Sequence, residues 1–351
     1  MWRIGGIGLE GRVVLGPMSG VTSASYREFM KPFGTAASVT EMTSDMGIVN
    51  MVRRTEDYMR FDPLYPTGLQ IFGSGPNHLA EAAEAALRFN PNIDFIDVNM
   101  GCPVKKVLRS YAGSYLLKNP ARCGDIIREI KRRVDVPVTA KIRLGWDSGS
   151  INFRTVIDEL QSAGADAIAL HARTREEKYG GEPHYDLVEG LQREMSVPLI
   201  ISGNIYSLDD AIRAREATGA EGVMVARGGV GNPFLVTQID RYFRTGDRLP
   251  NPTVSQQIDW CYDLADRLYG QFREDIATGL MRGFAPKFVS GCHRCREYRL
   301  RLATGIVDRP SMVSILEEIR ERMGDECINT GGIRRYRRDS DGTGPSDRAS
   351  S

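Results

Sequence analysis

The sequence predicts an α/β protein, a (β/α)8 TIM barrel followed by a small C-terminal helical domain. Three observations carry that expectation. Eight short, β-branched apolar runs alternate with polar, periodic, Ala- and Glu-rich stretches. Polar residues cluster just beyond the C-terminal ends of those runs. Glycine-rich turns follow the seventh and eighth runs and not the first. Strands alternating with helices imply parallel pairing, because a crossover helix must return the chain to the same edge. Eight such units in about 230 residues fit a closed barrel, whose usual size is about 250. An open doubly wound sheet would carry its glycine-rich turn after strand one.

The strands are expected at 13–15, 36–39, 68–72, 95–99, 138–142, 167–171, 199–202 and 222–226. Their near-continuous apolar character implies burial on both faces. Helical patterns occupy 78–89, 125–133, 152–163 and 208–217. Paired prolines at 249–252 mark a linker, so the barrel is assigned to 1–248. Beyond it the pattern is helical over 255–271 and 278–287, through a basic stretch to 301, and over 310–323, giving a helical domain at 253–330. From Gly331 onward Gly, Ser, Asp and Arg dominate, and the tail 331–351 is expected to be disordered.

With 41% hydrophobic and 26% charged residues, the 351-residue chain is neither mostly disordered nor collagen-like. No apolar run approaches the roughly 18–20 residues of a membrane span. Glu10 and Arg12 fall where a secretory signal needs unbroken apolar sequence. The expected compartment is the cytoplasm, and six cysteines in so long a chain do not make a disulfide framework. The formal charge is +1, so any nucleic-acid binding must come from local clustering.

Candidate chemistry lies at the strand ends. Gly16-Pro17-Met18 ends the first strand; it reads as a tight turn with a core Met, or as close backbone approach to a flat ligand beside a polarizable sulfur. Gln70, inside an apolar strand, is either satisfied by the backbone or turned to a ligand's imide-like edge. Lys141, in another buried strand, suits stabilisation of an anion more than packing; the alternative is a buried ion pair with Asp97 or another carboxylate. His171 ends strand six ahead of Arg173 and Arg175, a basic loop suited to a phosphate-bearing substrate. Ser202-Gly203-Asn204 and Ala226-Arg227 follow strands seven and eight, where such barrels commonly bind phosphate through backbone N–H groups. Asn99-Met100-Gly101-Cys102-Pro103 places a thiol at the active face, ahead of Lys105, Lys106 and Arg109. The thiol is a proton donor at its ordinary pKa of about 8.5, or a nucleophile if that value is depressed.

The segments VVLGPMSGVTSASYREF, LQIFG, DFIDVNMGCPVKKV, AKIRLGWD, LHARTREEKYGG, SGNIYS and ARGGVGNPF, in this order, resemble the tRNA-dihydrouridine synthases over 13–234. The resemblance implies an FMN-dependent barrel with a helical domain that helps hold tRNA. By similarity Gly16, Pro17, Met18, Gln70, Lys141 and His171 contact the flavin. Ser202, Gly203, Asn204, Ala226 and Arg227 hold its phosphate. Cys102 is the general acid and Asn99 touches the target uracil. The family usually shows Asn-Gly-Asp in place of Ser202-Gly203-Asn204 and Gly-Arg in place of Ala226-Arg227. Backbone donors survive both changes. Tyr111-Ala112-Gly113-Ser114 stands where small residues dominate in relatives, so the contact of that loop with tRNA differs.

The implied chemistry is consistent with these residues. Saturating the C5=C6 bond of uracil needs a hydride at one carbon and a proton at the other. Reduced FMN supplies the first, a thiol the second, and NADPH or NADH is the expected electron source. A small-molecule flavin oxidoreductase of the dihydroorotate or dihydropyrimidine type would not need Lys105, Lys106 or the basic helical stretch. A non-catalytic tRNA-binding protein would not need Cys102. In the helical domain, Lys287, Arg294, Arg296, Arg299 and Arg301 form the basic stretch; Lys287 and Arg294 are the expected phosphate contacts. The lone Cys292-x-x-Cys295 pair gives no expectation of a metal.

Overall fold

Purely apolar strand sequences demand cover on both faces, and the fold supplies it by closing the sheet. The computed structural model describes residues 1–61 and 65–329; the tail expected to be disordered lies outside the described residues. A hairpin of β1 (Trp2–Ile4) and β2 (Ile7–Leu9) comes first. The barrel strands are β3 (Val13–Leu15), β4 (Ala37–Val39) with its short continuation β5 (Thr43–Ser44), β6 (Thr67–Phe72), β7 (Phe95–Asn99), β8 (Val138–Arg143), β9 (Ala167–His171), β10 (Leu199–Ser202) and β11 (Gly222–Val225). All pair in parallel. β11 returns to β3 and β4 meets β6, which closes the ring. The expected (β/α)8 barrel is therefore present, with a shift of a residue or so at the ends of four strands.

A bulge interrupts the second barrel strand. Between the Val39–Gly68 and Thr43–Ile71 pairs, the chain takes four residue steps against three in β6. Thr40 N donates to Gly68 O (2.9 Å), and Thr40 Oγ1 accepts from Gln70 N (3.0 Å) in place of a backbone carbonyl. The extra residue re-aims the strand and brings Met42 to the cavity at the barrel mouth.

Amphipathic helices clothe the outside. The helix Pro120–Lys131 buries Cys123, Ile126, Ile127 and Ile130 at helical spacing; Asn119 caps it and proline opens it. The helix Leu208–Thr218 starts at a Ser207 cap and stops at Gly219, with φ 71°. Each cap is worth about 1 kcal/mol. Inside the barrel, Phe95 fills the interior against β6. A Cβ at Gly68 would overlap its ring, which is why a strand interior tolerates glycine there. Trp2 plugs the N-terminal end beneath β11, its Nε1 donating to Gly11 O (2.8 Å).

After 253 the chain is helical: Val254–Gln271, Glu274–Phe288, Cys295–Gly305 and Arg309–Met323. Thr253 and Gln256 form a capping box. The second helix begins one turn earlier than the periodicity predicts, and the basic stretch is broken after 288. These helices dock on the helix Ala24–Met30 through aromatic contacts: Tyr26 stacks on Phe284 (5.6 Å) and Phe29 meets Phe288 edge-on (6.1 Å). One apolar cluster runs through both parts. No helix among the described residues is long and apolar enough to cross a membrane.

Candidate active site

The C-terminal ends of the barrel strands surround a cavity of about 590 Å³, in the size range of small-ligand sites. The structure gathers there Gly16, Pro17 and Met18, Gln70, Asn99, Cys102, Lys141, His171, Ser202, Gly203, Asn204, Ala226 and Arg227. All were expected from sequence. Lys287 reaches the same cavity from the helical part. It is seated by close contact, because a Cβ at Gly231, φ 73°, would collide with the Lys287 backbone.

A directed hydrogen-bond chain ties the buried strands to the cysteine turn. Thr139 Oγ1 donates to Asp97 Oδ1 (2.6 Å), and Gln70 Nε2 donates to Asp97 Oδ2 (2.7 Å). Asn99 Nδ2 donates to Gln70 Oε1 (2.8 Å). Asn99 Oδ1 accepts from Cys102 N (2.9 Å) and Gly101 N (3.2 Å). Both Asp97 oxygens accept here, so the carboxyl orients Gln70 and, through it, Asn99; burial pushes that carboxyl above its ordinary range, offset by these bonds and by Lys141. Gln70 is thus satisfied by side chains rather than backbone while still lining the cavity. Asp97 gives its oxygens to Thr139 and Gln70, and among the described residues no carboxylate forms a direct ion pair with Lys141, which Asp97 attracts only at longer range.

The turn is held from two further sides. Ser114 donates from N (3.1 Å) and Oγ (2.9 Å) to Cys102 O. Arg143 donates from Nε to Gly101 O (2.8 Å) and from Nη1 to the carbonyls of Thr174 and Lys178. Burial pushes the Cys102 thiol above its ordinary pKa, with the Val104 backbone, Arg143 and Lys141 offsetting part of the rise. The direction of that shift favours the protonated thiol over the thiolate.

Opposing charges are scarce around the cavity and cations abundant. Burial and Arg143 depress Lys141 to about 8, against the attraction of Asp97 and Cys102. Burial, then the cations Arg143, Lys141, Arg173 and Arg227, hold His171 well below its ordinary value, so its imidazole is neutral. Arg173 Nη1 lies 2.9 Å from His171 Nε2. Such a positive, desolvated site favours an anionic ligand.

The turns after β10 and β11 form a cradle. The N–H groups of Gly203, Asn204 and Gly228 have no acceptor within the protein among the described residues. Tyr185 donates its hydroxyl to Gly203 O and holds the first turn. A Cβ at Gly228 would overlap Ile205 O. Arg227 lies 4.8 Å from the Tyr179 ring and 5.7 Å from that of Tyr206. Uncovered N–H groups beside a guanidinium fit a phosphate.

With that geometry in place, the comparisons with known proteins decide the family. The dihydrouridine synthase (Dus) family model matches residues 14–318. The chain belongs to the dihydrouridine synthase family. It is 39% identical over 258 residues to the probable tRNA-dihydrouridine synthase 1 of Synechocystis sp., covering 73% of this chain and 72% of that one. It is 34% identical over 298 residues to tRNA-dihydrouridine synthase B of Pseudomonas aeruginosa, covering 85% and 89%. Among solved structures, histamine dehydrogenase from Rhizobium sp. 4-9 superposes with a TM-score of 0.51 at 15% identity, covering 81% of this chain. This chain spans half of that protein's length, and the likeness concerns the fold alone.

In this dihydrouridine synthase family member the expected substrate contacts divide into three groups. Lys105, Lys106 and Arg109 are exposed on a short helix directly after the Cys102 turn. Arg175 lies outside the cavity lining, its guanidinium 4.3 Å from the Trp146 ring. One expectation needs correction. Arg173 is fully buried and directs its donors inward, from Nε to Gly180 O (2.8 Å), from Nη2 to Gly181 O (2.6 Å) and from Nη1 to His171. It belongs to no exposed basic loop and is not among the cavity-lining residues. Arg294 is exposed, sits at φ 53° ahead of its helix, pairs with Glu297 (2.7 Å) and lies outside the cavity lining. Arg299 and Ser290 line the cavity instead. Sequence reasoning also missed Arg143, Met42 and Tyr179 as lining residues; only the buried arginine in the strand run AKIRLG offered a signal.

Proposed function

We propose that the protein reduces uridines in tRNA to 5,6-dihydrouridine, with FMN as cofactor and NADPH or NADH as reductant. The observation that carries this reading is the Cys102 turn, fixed by the Asn99 chain at the edge of a cationic cavity that ends in uncovered backbone N–H groups. The donor set fits FMN: unspent backbone N–H groups and Arg227 for its phosphate, and Lys141 and neutral His171 beside its ring. Gly16, Pro17, Met18 and Gln70 supply the remaining walls, with Ser202, Gly203, Asn204 and Ala226 at the phosphate end.

Bound FMN, once reduced, supplies a hydride, which no side chain can. Cys102 Sγ gives its proton to the other carbon of the C5=C6 bond, and the resulting thiolate is reprotonated by solvent. Arg143 and Lys141 stabilise that thiolate. Asn99, already holding the turn, stands beside the thiol to meet the base edge. With flavin bound, the Lys141 ammonium would offset negative charge that the ring gains on reduction. The uridine enters unstacked, which is easiest from an RNA loop. The helical part, residues 253–330, serves as the tRNA-holding domain, with Lys287 and Arg299 at the cavity mouth. The cytoplasm is the compartment this reading assigns.

The test is an anaerobic visible spectrum of the purified protein. A flavin spectrum bleached by NADPH and restored by unmodified tRNA is expected. Restoration by a free pyrimidine but not by tRNA would assign a small-molecule oxidoreductase instead. Absence of flavin after reconstitution with FMN would reject the cofactor reading.

A further inference from the structure

The loop after the Cys102 turn carries a surface that the proposed chemistry does not use. Tyr111 is 61% exposed and sits at φ 56°, a left-handed conformation that bulky residues rarely adopt. Its ring meets Tyr115 edge-on (5.1 Å, 77°), and Tyr115 meets Trp146 edge-on (5.9 Å, 87°). Lys118 Nζ lies 3.8 Å from the centre of the Trp146 ring, and the Arg175 guanidinium also lies over that ring. The loop is tied to the site through the two Ser114 bonds to Cys102 O.

The cations around this ladder are not neutralised by neighbouring carboxylates, in contrast to many surface arginines. Arg88, Arg128, Arg213 and Arg320 each pair with a carboxylate. Among the described residues, Lys105, Lys106, Arg109, Lys118 and Arg175 have no carboxylate within 4.0 Å. Unneutralised cations beside one exposed ring, Tyr111, backed by the half-buried Tyr115 and Trp146, match the composition of a single-strand nucleic-acid surface, where phosphates neutralise and rings stack.

We propose that Tyr111, braced by Tyr115, is a stacking platform for an unpaired base of the RNA substrate next to the uridine admitted to the cavity. Lys118 and Arg175 take the flanking phosphates. The inference rests on the tRNA reading above. Drawing one uridine out of its stack strips its neighbour of a partner, and the Tyr111 ring replaces that partner.

The experiment measures binding of an unmodified tRNA transcript to the full chain over a salt series. It compares wild type, Tyr111→Ala, Tyr111→Phe and Arg175→Gln, with ultraviolet crosslinks located by mass spectrometry. Tyr111→Ala is expected to weaken binding roughly 5- to 150-fold, the range for loss of one stacked base, with the salt slope unchanged. Tyr111→Phe stays within about twofold because stacking needs the ring alone. Arg175→Gln lowers the salt slope by about one, and a wild-type crosslink falls on Tyr111. Thermal unfolding matching wild type shows that substitution at exposed Tyr111 and half-buried Arg175 leaves the fold intact. Binding by Tyr111→Ala within twofold of wild type, or an equal loss in Tyr111→Phe, overturns the platform. Failure of wild type itself to bind tRNA overturns the functional reading, and the platform with it.

Discussion

Arg173 donates from Nη1 to Nε2 of His171 across 2.9 Å. A guanidinium has no acceptor, so the imidazole accepts at Nε2 and carries its single proton on Nδ1. The carbonyls of Gly180 and Gly181 hold the guanidinium in place. One buried arginine thereby fixes the tautomer of a cavity histidine whose charge burial already suppresses.

The first prediction concerns that tautomer. Only four histidines occur in the chain, so nitrogen-15 NMR with a His171→Gln reference isolates the signal. His171 is expected as the neutral Nδ1–H form, with no titration near 6.5. In Arg173→Lys the planar fork is lost, and a mixture of tautomers appears while the buried imidazole stays neutral. Identical His171 spectra in the two proteins would show that Arg173 does not set the tautomer.

Lys141 links the site to stability. Burial, reinforced by Arg143, depresses its ammonium to about 8, against about 10.4 for an exposed lysine. Between those values the unfolded chain holds a proton that the folded chain has released. Stability from this group therefore rises as pH climbs from about 8 to 10.4, and below 8 the group costs on the order of 3 kcal/mol. Lys141→Met should be more stable than wild type at pH 7 by about 1–3 kcal/mol, with the gap closing towards pH 10. Urea unfolding at both pH values checks this, and a destabilised variant at pH 7 counts against it.

Gln70 joins two buried polar groups. Gln70→Leu leaves Asp97 Oδ2 and Asn99 Nδ2 without their partner and should lower stability by about 2–4 kcal/mol. A loss below about 1 kcal/mol in equilibrium unfolding would mean that water or a rearranged Asn99 replaces the bond.

Packing at the barrel interior gives a prediction independent of chemistry. Gly68→Ala drives a methyl into the Phe95 ring and should cost about 1–3 kcal/mol. Phe95→Leu, itself a cavity-forming change, should recover part of that loss when combined with it. A double variant whose losses simply add would show that the two residues do not compete for space.

Much of this was legible in the chain because barrel strands are apolar throughout and their ends are polar. All eight strands and the strand-end residues from Gly16 to Arg227 follow from that contrast. The hairpin Trp2–Leu9 did not, since three-residue strands in a glycine-rich segment carry no period. The two-residue β5 likewise depends on its neighbour β6. Arg173 reads as part of an exposed basic loop; only the distant carbonyls of Gly180 and Gly181 reveal that it turns inward. Which arginine of the basic stretch faces the cavity depends on where its helix begins. A turn at Gly291, φ 94°, sets that start at Cys295 and selects Arg299 over Arg294.

The measurement that tests the central claim most directly is nucleoside mass spectrometry of tRNA incubated with the FMN-loaded protein and NADPH. Wild type should convert uridine to a product two hydrogens heavier. Cys102→Ala should retain flavin and tRNA binding but form that product at least about 100-fold more slowly, the usual contribution of a positioned acid. Wild-type rates in Cys102→Ala would contradict the assignment of the proton to this thiol, and absence of the product with wild type would contradict the activity itself.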